Sequence, residues 1–197
     1  MKIGLYFGSF NPIHTGHLII ASHLLNDTCL EKVWFVVSPQ NPFKNSATLL
    51  NEYSRLHLVQ KAIEPDDRFK ASDIEFNLPK PSFTSHTLAY LKEKYPQHQF
   101  TVIMGSDSFQ NLQNWNNWQS IVSSFPIIVY VRPGFDVSNN VNAQLTVLKA
   151  PLLEISATHI RHLIQNKKSI KYLVPFVVEE EISISGFYKS PQKGQNK

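Results

Sequence analysis

The feature that most constrains this chain is the regular alternation of short apolar runs with segments of helical period. Residues 2–7 (KIGLYF), 32–38 (KVWFVVS), 100–105 (FTVIMG) and 126–131 (PIIVYV) are rich in aromatic and branched side chains and read as strands buried on both faces, and 145–155 supplies one or two more. Between them, Leu18, Ala21 and Leu25 predict a helix over 16–28. Leu50, Tyr53, Leu56 and Val59 or Gln60 predict one apolar stripe of a helix over 47–63, and 84–95 reads as a third helix. Strands that alternate with helices pair in parallel through right-handed crossovers, so the expected class is α/β, a doubly wound, mainly parallel sheet with helices on both faces.

The 197 residues suit one domain, expected over 1–188, followed by a polar tail at 189–197 that carries Lys189, Lys193 and Lys197. Stretches 38–48 and 77–84 read as insertions long enough to cover a site. Hydrophobic residues make up 42% and charged residues 17%, which excludes a disordered chain. The net charge of +4 suits small anionic ligands and is too small to imply a nucleic-acid partner. Cys29 is the only cysteine, which excludes an internal disulfide and a cysteine-rich zinc site and fits a reducing compartment. The opening apolar run is broken by Gly4, Gly8 and Pro12, unlike a signal peptide, and no stretch approaches the roughly 18 apolar residues of a membrane span. A soluble, cytoplasmic protein without a membrane partner is expected; a homo-oligomer is left open.

Three segments carry chemistry, each at a strand's C-terminal end, where open α/β sheets bind ligands. The first is Gly8-Ser9-Phe10-Asn11-Pro12-Ile13-His14-Thr15-Gly16-His17, which opens the first helix. Helix N-termini attract phosphate, Gly8 and Gly16 permit close backbone approach, and His14 and His17 add donors. A tight turn with two incidental histidines is the plain alternative; a zinc site lacks a third ligand. The second is Ile155-Ser156-Ala157-Thr158-His159-Ile160-Arg161, in which Ser156 is a favoured N-cap and Thr158 and Arg161 share a face. Arg161 can grip phosphate oxygens bidentately, although an ordinary capped helix with a surface arginine fits the same letters. His159 and His162 read as surface residues. The third is Gly105-Ser106-Asp107, where Gly105 allows close nucleotide packing and Asp107 can accept from a ribose hydroxyl or a purine amine, or where Ser106 or Asp107 merely caps a helix. The P-loop, GxGxxG and GxSxG patterns are missing, which removes support for kinase, dehydrogenase and hydrolase readings.

The pair His14-Thr15-Gly16-His17 and Ser156-Ala157-Thr158-His159-Ile160-Arg161 resembles the HxGH and SxTxxR signatures of the nucleotidyltransferase superfamily. Within it the chain is similar, from Lys2 to about Tyr188, to the bacterial-type nicotinate mononucleotide adenylyltransferases. Their glycine-rich turn with Phe-Asp-Pro-Ile-His corresponds to Gly8 through His14, their Pro-His-Lys to Pro42-Phe43-Lys44, and their Ser-Tyr-Thr-x-Asp-Thr-Leu to Ser82 through Leu88. Their Gly-x-Asp with a downstream Trp corresponds to Gly105, Asp107 and Trp115, and their Tyr-Leu-Val-Pro to Tyr172-Leu173-Val174-Pro175. Phe7, Phe43, Phe83 and His86 depart from the pattern, replacing Gly, His, Tyr and Asp.

The resemblance implies a Rossmann-like nucleotidyltransferase fold and transfer of AMP from ATP to nicotinate mononucleotide. His14, His17 and Arg161 would be catalytic. Gly8, Ser9, Phe10, His14, Gly16, His17, Gly105, Asp107, Ser156, Thr158 and Arg161 would hold ATP and its phosphates. Lys44, Thr84, Ser85, Trp115 and Asn116 would hold the mononucleotide, with Trp115 stacked on the ring. Mg²⁺ would be bridged by substrate phosphates rather than held by a protein site. Nicotinamide mononucleotide, phosphopantetheine and a cytidylyl acceptor are rival substrates, and a nucleotide-sensing module that has lost catalysis is a rival of another class.

Overall fold

The computed structural model describes residues 1–40, 49–151 and 154–189. Six strands form one parallel sheet: β1 (Lys2–Gly8), β2 (Lys32–Val37), β3 (Phe69–Ser72), β4 (Gln99–Gly105), β5 (Ile127–Tyr130) and β6 (Leu145–Leu148), in the spatial order β3-β2-β1-β4-β5-β6. The helices are α1 (Thr15–Asp27), α2 (Glu52–Ile63), α3 (Thr84–Lys94), α4 (Ser106–Gln110), α5 (Trp118–Ser124), α6 (Ala157–Gln165) and α7 (Phe176–Ser185). The chain builds outward from β1 to β3, then crosses back to β4 and builds the other way. β1 and β4 therefore flank the point where strand order reverses.

Period-two alternation sends each strand's side chains to two separate cores. Tyr6, Phe35, Ile103 and Ile128 pack on one side with Leu24 of α1, Leu58 and Val59 of α2, Ile160 of α6 and Val178 of α7. Leu5, Val36, Val102 and Val129 pack on the other side with Leu88 and Leu91 of α3, Phe109 of α4 and Ile121 of α5. Both faces are covered, which is why the central strands read as unbroken apolar runs.

The expected strands at 2–7, 32–38, 100–105 and 126–131 and the helices at 16–28 and 84–95 are found, with ends displaced by a residue or two. The helix expected over 47–63 begins only at Glu52, because the Asn51 side chain caps it by accepting from the Tyr53 N–H at 2.9 Å. Its buried residues are Arg55, Leu58, Val59, Ala62 and Ile63; of the expected stripe Val59 is buried, and Leu50 and Leu56 pack half-buried against the same core. Tyr53 is 65% exposed and meets Phe76 edge-on. Among the described residues of 145–155 there is one strand, β6, at the sheet edge. Strand β3, four residues with an exposed lysine, and helices α4, α5 and α7 carry too little periodicity to be read from the letters. Of the expected tail only Lys189 is described.

Gly4 sits where β1 packs against β4. A Cβ there would approach Ile103 Cδ1 at 2.5 Å and Leu30 Cδ1 at 2.7 Å. Gly4→Val should therefore overpack the core and lower the unfolding free energy by about 1–3 kcal/mol. Urea titration measures it, and an unchanged midpoint would contradict this packing.

Candidate functional site

A cleft of about 730 Å³ opens over the C-terminal ends of β1 and β4. Register sets its floor: Gly8 lies level with Val37 at the ends of β1 and β2, and Gly105 lies level with Tyr130 at the ends of β4 and β5. The walls come from Ser38 and Gln40 after β2, Phe83 and Thr84 at the start of α3, the Trp115–Asn116 turn, Arg132 after β5, and Ser156, Thr158 and Arg161 where α6 begins.

The turn from β1 into α1 supplies Gly8, Ser9, Phe10, Asn11 and His17 to the cleft. Phe10 has φ +44°, a left-handed conformation uncommon for a non-glycine residue, and its ring lies under Gly8, where an added Cβ would come within 2.8 Å of it. His14 is the N-cap of α1, and its backbone N–H donates to His17 Nδ1 at 3.2 Å. The two imidazoles stack with centroids 3.7 Å apart. His17 lines the cleft, whereas His14 lies behind it, 7% exposed. Burial, helped by the positive charge of Arg132, lowers the His14 pKa to about 4 and keeps its ring neutral beside His17. Gly16 is buried against the same ring, and an added Cβ would lie 3.1 Å from His14 Nδ1. The closing Tyr-Leu-Val-Pro segment braces this turn, for Thr15 N–H donates to the Leu173 carbonyl and the Thr15 hydroxyl to that of Tyr172.

The second signature meets the first. Ser156 caps α6 by accepting from His159 N–H. Arg161 donates from Nη1 to the Asn11 carbonyl at 2.7 Å and from Nη2 to Thr158 Oγ1 at 3.2 Å, so one guanidinium joins both motifs. His159 and His162 are exposed, as expected of surface residues.

Gly105 N-caps α4, and Asp107 in its first turn lines the cleft. Asp107 Oδ2 accepts from Arg132 Nη1 at 3.0 Å, while Oδ1 is buried and accepts from no group among the described residues. Ser106 Oγ accepts from the Arg132 backbone N–H. Below them the Tyr6 and Tyr130 hydroxyls are 3.4 Å apart, and burial first, then Tyr130, raises the Tyr6 pKa.

On the opposite wall, Thr84 is the first residue of α3, whose leading N–H groups lack helical acceptors. Ser85 Oγ donates to Asn116 Oδ1 at 3.2 Å and ties α3 to the Trp115 turn, while Trp115 is half-buried against the second core. The Phe83 and His86 rings, two of the departures noted above, pack edge-on against each other at 5.6 Å. Behind them Glu75 is 2% exposed and accepts from Ser82 at 2.8 Å and Thr87 at 2.9 Å. Burial pushes its pKa up against the pull of these hydroxyls and that of Ser38. Lys44 and Phe43 lie outside the described residues.

The cleft thus gathers Gly8, Ser9, Phe10, His17, Gly105, Asp107, Ser156, Thr158, Arg161, Thr84, Trp115 and Asn116, with His14, Gly16 and Ser85 behind its walls. Arg132, Tyr6, Tyr130, Ser38 and Glu75 escaped sequence reading. Arg132 directly follows strand 126–131, and an arginine at that point of an α/β sheet is a usable signal. Tyr6 and Tyr130 look like strand core.

This sheet order, with a helix-opening turn and a converging arginine at the reversal point, defines a Rossmann-like α/β fold with its ligand crevice at that point. Residues 5–163 match the cytidylyltransferase-like family model. The probable nicotinate-nucleotide adenylyltransferases of Cytophaga hutchinsonii and Flavobacterium psychrophilum are each 50% identical to the chain, over 193 and 192 residues, covering 96% of it and 100% of each relative. The chain belongs to the nicotinate-nucleotide adenylyltransferase family, within the cytidylyltransferase-like group. Its fold is shared with the nicotinic acid mononucleotide adenylyltransferase of Plasmodium falciparum, solved in complex with NaAD, at TM-score 0.81 and 20% identity, covering 95% of this chain and 97% of that one.

The depressed His14 pKa couples stability to acid. An unfolded histidine takes up its proton near pH 6.5, while the folded ring resists until about pH 4. The unfolded state therefore binds more protons in that window, so stability falls as pH drops from 6.5 toward 4 and the loss is complete below it, on the order of 3 kcal/mol. His14→Gln should show a shallower fall of Tm between those pH values, and an acid limb identical to the wild type would contradict a neutral, buried His14.

Proposed function

We propose that the protein transfers the adenylyl group of ATP to nicotinate mononucleotide, giving nicotinate adenine dinucleotide and pyrophosphate, a step of NAD biosynthesis. The observation that carries this reading is the convergence of His17, Thr158 and Arg161 on one side of a cleft whose other side is Thr84, Trp115 and Asn116. One half offers a guanidinium, an imidazole and a hydroxyl to a triphosphate. The other offers a flat aromatic face and free helix N–H groups to a planar, anionic ring.

A phosphate oxygen of the mononucleotide attacks the α-phosphorus in line. A new P–O bond forms as the bond to the bridging oxygen of the β-phosphate breaks and pyrophosphate leaves. The acceptor already carries the nucleophile, so the protein's work is alignment and charge neutralisation. Arg161, held against Asn11 and Thr158, and His17 face the charge that develops on the leaving group. The buried, unpartnered Oδ1 of Asp107 suits a ribose hydroxyl or the purine amine. His14, kept neutral, orients His17 through the backbone bond and the ring stack.

Among the described residues no three His, Cys, Asp or Glu side chains cluster to hold a metal ion. Mg²⁺ would arrive on the triphosphate and neutralise phosphate charge there. No described helix is long and apolar enough to cross a membrane, and the exposed lone Cys29 suits the reducing cytoplasm.

Pyrophosphate release from ATP and Mg²⁺ should be supported by nicotinate mononucleotide well above nicotinamide mononucleotide or phosphopantetheine, and release with none of the three would overturn the reading. His17→Ala should lower kcat on the order of 10²–10³-fold, as loss of one transition-state donor does. Trp115→Ala should raise KM for the mononucleotide while leaving KM for ATP near that of the wild type.

A further inference from the structure

Arg55 is fully buried on α2 and is not among the residues lining the cleft. No carboxylate contacts it among the described residues. Its guanidinium donates instead to four backbone carbonyls: Nε to Leu50 at 2.8 Å, Nη1 to Ser9 at 2.6 Å and to Ser38 at 2.8 Å, and Nη2 to Pro39 at 2.9 Å. Ser9 belongs to the turn after β1, and Ser38 and Pro39 to the turn after β2. One side chain thus fastens the two loops that end the strands beside the cleft.

A trans peptide is planar, with its C=O and N–H pointing opposite ways. Each carbonyl that Arg55 draws inward therefore turns the next residue's N–H outward. For Ser9 that is the N–H of Phe10, and for Pro39 that of Gln40, both cleft-lining residues. The Phe10 N–H donates to nothing else among the described residues, and the left-handed φ of Phe10 is what lets the chain turn there. A buried cation that keeps its charge also adds positive potential beneath these N–H groups.

We propose that Arg55 is a positioning residue for adenylyl transfer: by holding the Ser9, Ser38 and Pro39 carbonyls, it aims the Phe10 and Gln40 N–H groups at the phosphates of the bound nucleotides. The proposal rests on the function argued above. A lysine at 55 keeps the charge but cannot span four acceptors in two loops, and an alanine leaves a guanidinium-sized cavity.

The test measures kcat, KM for ATP and thermal unfolding for wild type, Arg55→Lys and Arg55→Ala. Alongside, the Phe10 amide resonance is followed in ¹⁵N-phenylalanine-labelled protein on addition of Mg²⁺-ATP. Arg55→Lys, assayed well below its Tm, should lose on the order of 10²-fold in kcat, the scale of an ångström's misplacement of reacting groups. Its Phe10 resonance should no longer respond to Mg²⁺-ATP, and millimolar guanidinium should restore part of the turnover of Arg55→Ala. If Arg55→Ala does not fold, Arg55→Lys decides. A folded Arg55→Lys enzyme with wild-type kcat, KM and Phe10 response would overturn the proposal. A wild type that responds to Mg²⁺-ATP at Phe10 but turns over no acceptor would instead overturn the functional reading, and the Arg55→Lys resonance would still decide for or against the clamp.

Discussion

Everything at the site follows from the reversal of strand order between β1 and β4. Neighbouring parallel strands whose crossovers leave in opposite directions cannot both be roofed at their C-terminal ends, so a crevice opens there. Six parallel strands place Gly8, Ser38, Gly105 and Arg132 along one edge of the sheet. Two motifs from distant parts of the chain meet at that edge, and a single guanidinium, Arg161, bonds one to the other through the Asn11 carbonyl. A crevice built this way needs no lid to be polar; it is lined by strand ends whose backbone groups have no further strand to pair with.

The second constraint is charge. A site for two phosphorylated nucleotides needs positive potential without the repulsion of crowded cations. The chain meets this by keeping His14 neutral through burial, pairing Arg132 with Asp107, and sinking Arg55 among carbonyl oxygens. Buried ionisable groups survive when hydrogen bonds replace their lost water: Arg55 gives four of its five N–H donors to backbone carbonyls, and Glu75 accepts from the Ser82 and Thr87 hydroxyls.

The fold was legible because parallel strands buried on both faces leave long apolar words, and the helices between them carry a clear period at 16–28 and 84–95. It was illegible where burial is partial: β3 is a short edge strand with a lysine, and α2 buries Arg55 in place of the tyrosine that the apolar stripe suggested. The lining of the cleft was legible where residue type and place at the start of a helix coincide, as with His17, Asp107, Thr158 and Arg161, although the last two lie on α6, which does not follow directly on the end of β6. Tyr6, Tyr130, Glu75 and Arg55 were hidden because a tyrosine in a strand looks like core and an ion in a helix looks like surface. Only the tertiary fold reveals that their polar atoms face the cleft or the loops around it.

Two of those hidden residues, Arg55 and Glu75, meet at Ser38. Ser38 closes β2, its carbonyl accepts from Arg55, and its hydroxyl supports Glu75. Glu75 in turn takes the hydroxyls of Ser82 and Thr87, which bracket the start of α3. A continuous polar chain therefore runs from the turn after β1, through the end of β2, to the start of α3. In-line transfer needs the two reactants fixed relative to each other and not merely bound, because misplacement by an ångström is enough to lose most of the rate. Loops joined only through water or apolar contact would drift independently. Buried hydrogen bonds to Arg55 and Glu75 hold them in one frame.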